Sequence, residues 1–291
     1  MHKDYIQVIS PYNHALDKKG VCRLGDDVVL TNYIYPVHDL PKSFRVKMPV
    51  AVLVEDGSIY MRINLRDIHA EAPALLILSS DDILELIDRS DNLHGKTISM
   101  SEHFISQLNL KNNFELLQAV SRHPMIPLND DALQAVRLYY DLVERIISHT
   151  DNPNRLESLV SLTRATRYDM GYYLFKIEES TPCTRNEFIV NEFVQLVHTY
   201  CRQERRLEFY ASKMCLSAKY LANVVAAHTD KPASRWIQEH VLLEAKAMLG
   251  VPNNTVAQVA DALSFPDQST FGKFFRRHTG LSPKEYQEQN K

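Results

Sequence analysis

Side chains able to bind nucleic acid follow two residues that can cap a helix, Ser217 and Asp267. After Ser217 they are Lys219 and Asn223, and after Asp267 they are Gln268, Ser269, Thr270, Lys273, Arg276 and Arg277. Glutamine and asparagine amides can pair with adenine, and lysine with guanine, in the major groove of a duplex. Arginine and threonine commonly bind backbone phosphate. These side chains therefore indicate contact with base edges and phosphates.

The place of each side chain along its helix divides the candidates into two groups. We expect base contacts from Lys219, Asn223, Gln268, Ser269 and Lys273. We expect phosphate contacts from Arg202, Arg205, Arg206, Thr270, Arg276 and Arg277. The apolar residues between them are expected to pack in the core; they are Tyr220, Leu221, Phe271, Phe274 and Phe275.

Each cap begins the second helix of a helix–turn–helix pair. In the first pair, a short helix over 207–214 precedes a break at Cys215 and Leu216. In the second pair, Thr255 begins a short helix that ends before a break at 264–266. Between the pairs, residues 234–249 predict a helix about 24 Å long with Trp236 as its anchor. Such a helix can hold two recognition helices roughly 34 Å apart, one turn of B-DNA.

The first hundred residues show the pattern of short strands. Apolar and β-branched runs occupy 28–30, 44–46, 50–54, 59–63 and 74–78. The Asp56–Gly57 pair between two of these runs predicts a β-hairpin. Strands at this spacing favour a small antiparallel barrel or sandwich.

The middle of the chain predicts a helical hairpin. Asn129 or Asp130 can cap a long helix that reaches about His149, and a second helix begins near Arg155. The hairpin is expected to cover the strands, and a role in self-association is an open alternative. The resulting α+β chain has a front domain over 1–177 with the hairpin at about 129–177, a linker at 178–184, and an all-α domain over 185–291.

Composition and charge restrict the class of protein. The hydrophobic fraction of 45% and the charged fraction of 24% are those of a globular chain. Residues 1–184 carry a net charge of −6 and residues 185–291 a net charge of +3, so the second part is better suited to face a polyanion. No apolar run is long enough to span a membrane and no signal peptide is apparent, so we expect a cytoplasmic protein without a membrane partner.

An enzyme is one alternative class. His38 and Asp39, with His69 and Glu71, superficially suggest a metal site, but the two histidines do not share one strand at short spacing. The chain also has no P-loop, nucleophile elbow, dinucleotide fingerprint or zinc-protease motif. We therefore expect no catalytic residue, no metal ligand and no cofactor.

The C-terminal residues resemble those of the AraC/XylS family of bacterial transcription regulators. The signature consists of Ala260, Leu263, Phe265, Asp267, Ser269, Phe271, Phe275, Arg276, Arg277, Gly280, Ser282, Pro283 and Tyr286, and it is preceded by Ala211, Met214, Ser217, Tyr220, Leu221, Glu244, Ala245, Met248 and Leu249. The match covers about 205–287. The chain departs from the family where Ser264 and Asp230 replace usual glycines and where 225–227 replaces a more basic stretch.

The resemblance implies a function and a set of partners. The front half would be a cupin-like β-barrel with its helical hairpin, sensing a small-molecule effector in the barrel interior or mediating homodimerisation. The back half would bind double-stranded promoter DNA, with RNA polymerase as a further partner. The alternative is a ligand-sensing or protein-interaction module that does not bind DNA.

Overall fold

The computed structural model describes residues 6–9, 20–34, 43–109, 120, 123–180, 184–229, 231–251 and 253–289. His38, Asp39, Asp230 and linker residues 181–183 lie outside these ranges. The contacts divide the chain into two compact units. One comprises 9–40 and 45–181, and the other comprises 182–291 together with the short segments 1–8 and 41–44.

The described strands of the front half form two antiparallel sheets. The strands are β1 (Ile6–Ile9), β2 (Val21–Leu24), β3 (Val28–Thr31), β4 (Ser43–Val46), β5 (Val50–Asp56), β6 (Ser58–Ile63), β7 (Arg66–Glu71), β8 (Ala74–Leu78), β9 (Ile83–Arg89), β10 (His94–Met100) and β11 (Met125–Pro127). One sheet has the order β1-β4-β9-β6-β7 and the other β11-β8-β5-β10-β3-β2. The expected cupin-like arrangement is thus present as two sheets that, over the described strands, do not close into one barrel.

The prediction of a hairpin at Asp56–Gly57 is wrong. Strand β5 pairs with β8 and β10, whereas β6 pairs with β7 and β9 in the other sheet. Gly57 has a φ of +78°, and a Cβ at this position would lie 2.8 Å from the Cα of Leu93. A left-handed conformation and close backbone approach both favour glycine. The pair therefore marks a corner where the chain passes from one sheet to the other.

A helical hairpin packs on one face of the six-stranded sheet, as expected. Helix α1 (Glu102–Gln107) begins after Ser101, α2 (Asp130–Ser148) after Asn129, and α3 spans Arg155–Ser180. The Asn129 side chain accepts a hydrogen bond from the backbone N–H of Ala132, which confirms it as a helix cap. The α3 helix continues three residues into the region expected to be linker.

One hydrophobic core of the front unit lies between this sheet face and the helices. The sheet contributes Leu30, Leu53 and Ile98, and the helices contribute Val136, Tyr140, Val143 and Leu159, all buried. The Tyr140 hydroxyl donates to the Ala51 carbonyl at 2.9 Å, so its polar end is satisfied within the core.

The described part of residues 182–291 folds into helices. They are α4 (Arg185–Tyr200), α5 (Leu207–Lys213), α6 (Ala218–Thr229), α7 (Ala233–Gly250), α8 (Val256–Ala262), α9 (Gln268–Thr279) and α10 (Pro283–Gln289). The long α7 contacts both α6 and α9, as the sequence predicts for a connecting helix. Trp236 is buried in it and its indole N–H donates to the Thr229 hydroxyl at 2.9 Å.

The described residues contain neither a membrane-spanning helix nor a cluster of metal ligands. No helix in that part of the chain is long and apolar enough to cross a membrane. Within the same residues, no group of three or more His, Cys, Asp or Glu side chains is placed to hold a metal ion. His69 and Glu71 form an exposed pair on β7 with a separation of 3.6 Å.

Candidate nucleic-acid interface

The first helix–turn–helix pair is formed by α5 and α6. Between them Cys215 adopts a φ of +56°, and the Leu216 N–H donates to the Ala211 carbonyl at 2.8 Å. The Ser217 hydroxyl then accepts from the Tyr220 N–H at 3.2 Å and so caps α6 as predicted. Ala211 and Leu221 are buried, which fixes the two helices against each other.

The second pair, α8 and α9, repeats this geometry without a turn glycine. Ser264 has a φ of +53°, and the Phe265 N–H donates to the Ala260 carbonyl at 2.9 Å. The Asp267 carboxylate accepts from the Thr270 N–H at 2.7 Å and from the Thr270 hydroxyl at 3.0 Å. These hydrogen bonds lower the pKa of Asp267, so the charged carboxylate that suits a helix N-terminus is retained.

The polar side chains of α9 lie on the surface while its aromatic side chains lie inside. Phe271 and Phe275 are fully buried with Tyr286 and Leu263, and the half-buried Phe274 packs on Phe265, as expected. The exposed residues of α9 include Gln268, Ser269, Thr270, Lys273, Arg276 and Arg277. A Cβ at Gly272 would meet nothing within 4 Å, so this part of the helix surface is open.

The cations of α9 carry most of the positive charge of the candidate interface. Among the described residues, Lys273, Arg276 and Arg277 form no ion pair within 4 Å. Their charges are therefore available to an external anion. A phosphate backbone is the anion that such a row of exposed cations most readily binds.

The first recognition helix is far less basic. Lys219 and Asn223 are exposed, as predicted for base contacts, and Lys219 is the one lysine or arginine in α6. Tyr220 was expected to pack, but its side chain is 39% exposed. It stands three residues before Asn223, and helical spacing places residues three and four apart on one face. That spacing is the signal that could have identified Tyr220 as a surface residue.

Besides Thr270, whose hydroxyl donates to Asp267, two of the six expected phosphate contacts have partners inside the protein. The Arg202 guanidinium donates to the buried Glu244 carboxylate at 2.8 Å. Arg205 donates to the Leu263 carbonyl, and its guanidinium lies 3.6 Å from the centre of the Phe265 ring. Both arginines therefore hold the domain together, and Arg205 joins the loop before α5 to the turn of the second pair.

Arg206 differs from its two neighbours in the arginine group. Its side chain is exposed, and it stands at the start of α5 without forming a side-chain capping hydrogen bond. The structure thus leaves Arg206, Arg276 and Arg277 as exposed arginines, with the Thr270 hydroxyl engaged in the cap of α9.

Comparisons with known proteins identify the same region. A family model described as a helix-turn-helix domain matches residues 210–289. The Msm operon regulatory protein of Streptococcus mutans is 24% identical over 116 residues, covering 40% of this chain and 41% of its own. The HTH-type transcriptional activator RhaS of Salmonella dublin is 26% identical over 165 residues, covering 54% and 55%.

The crystal structure of apo ToxT from Vibrio cholerae is 13% identical, covers 91% of this chain and 98% of its own, and gives a TM-score of 0.38. This chain spans about half the length of the curated relatives it matches.

Proposed function

We propose that this chain, whose C-terminal domain belongs to the AraC/XylS family of regulators, is a sequence-specific transcription regulator that binds double-stranded promoter DNA. The observation that carries the proposal is the surface of α9. Its exposed amide, hydroxyl and ammonium groups lie next to exposed guanidinium groups, over a buried aromatic core. Base-edge and phosphate contacts from one helix are the chemistry of major-groove reading.

The two recognition helices have unequal roles in this proposal. The second helix, with Lys273, Arg276 and Arg277, supplies most of the electrostatic affinity. The first helix, with Lys219 and Asn223 exposed, contributes mainly base contacts. Loss of basic residues at 225–227 is consistent with this division, because alanines there cannot bind phosphate.

Two further partners belong to the proposal. Regulators of this family are generally not enzymes, so we propose that this chain controls transcription by binding alone. An effector would bind in the front domain. The DNA-bound chain would contact RNA polymerase at the promoter. The printed names of RhaS and the Msm protein, a transcriptional activator and an operon regulator, support a role in gene regulation.

Homodimerisation is proposed through the helical hairpin. Leu138 and Leu142 on α2 are 55% and 42% exposed, and Tyr168 and Tyr172 on α3 are 52% and 56% exposed. Each pair is four residues apart and so lies on one side of its helix. Exposed apolar side chains grouped in this way are typical of an interaction surface.

Salt dependence separates DNA binding from the alternative of a protein-interaction module. The full chain is titrated onto a fluorescently labelled random duplex, and anisotropy is measured at stepped salt concentrations. We expect the logarithm of affinity to fall linearly with the logarithm of salt, by about 0.9 for each phosphate neutralised. Absence of binding at low salt, or affinity that does not change with salt, would contradict the proposal.

A further inference from the structure

The front unit contains a cavity on the helix-facing side of its six-stranded sheet. Its volume is about 670 Å³, within the range of small-molecule sites. Ala51, Ile77 and Ile98 form part of its floor and lie side by side in the sheet register. Tyr139 of α2 and Met170 of α3 form part of the opposite wall. This place differs from the barrel interior, where the sequence led us to expect an effector.

Of the described residues that line this largely apolar cavity, one is a cation, Arg167 of α3. It is half-buried, and no carboxylate of the described residues lies within ion-pair distance of it. Arg164, three residues earlier, instead uses its guanidinium on the Leu108 and Gln107 carbonyls at 2.6 and 3.0 Å. Glu102, the carboxylate among the lining residues, is solvent-exposed in the first turn of α1.

The positive charge of Arg167 acts on the Tyr139 hydroxyl, which lies with Thr163 at the polar end of the cavity. Burial raises the pKa of Tyr139 to about 12, while its hydrogen bond with Thr163 and the positive charge of Arg167 act in the opposite direction. Burial also lowers the pKa of Arg167. The Tyr139 and Thr163 hydroxyl oxygens are 3.0 Å apart. When Thr163 donates in that pair, the Tyr139 O–H is available to a ligand.

We propose that this cavity binds an amphipathic carboxylate, with its apolar body against the sheet and its carboxylate at Arg167 and the Tyr139 hydroxyl. Within the described residues this half-buried cation has no counter-ion, which is unfavourable, and an anionic ligand offsets the cost. The planar guanidinium matches a carboxylate in a two-bond arrangement. A single arginine also suits one negative charge better than the two of a phosphate monoester.

The inference rests on the proposed function only in naming the chemical class of the effector. The helices that line the cavity also carry the exposed apolar residues of the proposed dimer surface. Tyr139 directly follows Leu138, and Arg167 directly precedes Tyr168. A ligand that changes the packing of Tyr139 or Arg167 can thus affect the outer surface of the hairpin.

Calorimetric titration of the full chain tests the site with decanoate as the probe and decanol as its uncharged counterpart. We expect saturable decanoate binding that Arg167→Gln weakens by about tenfold to a hundredfold, because a charge-assisted hydrogen bond is lost. Arg167→Lys is expected to restore part of the affinity. The control is Arg145→Gln, an exposed arginine of α2 outside the cavity, which should leave the affinity unchanged.

Thermal unfolding without ligand separates a binding role from a structural one. We expect Arg167→Gln to leave the unfolding temperature unchanged or to raise it, because the substitution removes a half-buried charge that no carboxylate of the described residues compensates. A lower unfolding temperature would assign Arg167 to the support of the fold and would contradict the proposal. Equal affinity for decanoate and decanol, decanoate affinity unchanged in Arg167→Gln, or no saturable decanoate binding would also overturn it.

The DNA titration is also run on Arg167→Gln, so that failure of the proposed DNA binding can be distinguished from failure of the proposed carboxylate site. Ligand-free Arg167→Gln is expected to bind DNA like the unsubstituted chain. If neither protein binds DNA, the proposed function fails, while the calorimetric result still decides the chemistry of the cavity.

Discussion

Neighbouring arginines in the C-terminal unit have different environments and should behave differently. Arg205 lies over Phe265 and donates to the Leu263 carbonyl, while Arg206 is exposed. We expect Arg205→Ala to destabilise this unit by about 2 kcal/mol, because it removes a charged hydrogen bond and a cation–π contact. Arg206→Ala should leave stability unchanged and reduce the salt slope of DNA binding by roughly 1.

The stability prediction can be tested with the fluorescence of Trp236, the one tryptophan of the chain. Its indole is buried in α7, so urea unfolding followed at Trp236 reports on the C-terminal unit. If Arg205→Ala instead reduced the salt slope of DNA binding and left the stability of the unit unchanged, Arg205 would be a phosphate contact, as expected from the sequence.

His240 makes the stability of the same unit depend on pH. Burial lowers the pKa of His240 to about 4, although the Trp236 carbonyl bonded to its Nδ1 opposes the shift. The unfolded value is about 6.5, so the unfolded chain binds the proton more tightly. The stabilisation is therefore complete above pH 6.5 and decreases as the pH falls toward 4, by about 3 kcal/mol.

The His240→Leu variant isolates this effect. His278, whose pKa is also lowered by burial, is present in both proteins, so the difference between them belongs to His240. We expect a flatter dependence of urea unfolding on pH between 6.5 and 4 in the variant. Parallel curves for the two proteins would show that His240 does not carry the pH dependence.

The turns of both helix–turn–helix pairs hold a side chain in a left-handed conformation. We expect Ser264→Gly and Cys215→Gly each to stabilise the C-terminal unit by about 0.5 to 1 kcal/mol, because glycine adopts a positive φ without steric cost. Ala226→Gly on the exposed surface of α6 is the control and should destabilise by about 1 kcal/mol. Destabilisation by both turn substitutions would show that the side chains make contacts worth more than the strain.

Local signals in the sequence were enough to locate most helices. The caps Asn129, Ser217, Thr255 and Asp267 are all confirmed by side-chain hydrogen bonds to backbone N–H groups. A capping side chain bonds to a residue two or three positions away, so the residues that indicate a cap lie within a few positions of each other in the sequence. The buried face of α9 was also predicted correctly, because the spacing of its aromatic residues is a local pattern.

Contacts between distant residues were not predicted. Arg202 pairs with Glu244, 42 residues away, and Arg205 bonds to Leu263, 58 residues away. The Asp56–Gly57 pair does not distinguish a hairpin from a corner between sheets, because glycine is favoured at both. Strand β5 pairs with β8 and β10, and no local signal shows either pairing.

The proposed dimer would form through the exposed apolar side chains of the hairpin. We expect the full chain to sediment as a dimer and the double variant Leu138→Glu, Leu142→Glu to sediment as a monomer, because two charges cannot be desolvated at an apolar interface. Analytical ultracentrifugation measures the mass. Lys47→Glu, an exposed residue of the front half outside the hairpin, should leave the dimer intact. If the unsubstituted chain were a monomer, or if the double variant remained a dimer, dimerisation through the hairpin would be contradicted.

Selection of bound sequences from random duplexes by the full chain tests DNA reading most directly. We expect two short half-sites about ten base pairs apart, since we propose that each recognition helix enters one of two successive major grooves. Lys273→Ala should relax preference at one base position within one half-site, whereas Arg277→Ala should weaken binding to all sequences similarly. One contiguous site of six bases, or no enriched sequence at all, would contradict a tandem pair of DNA-reading helices.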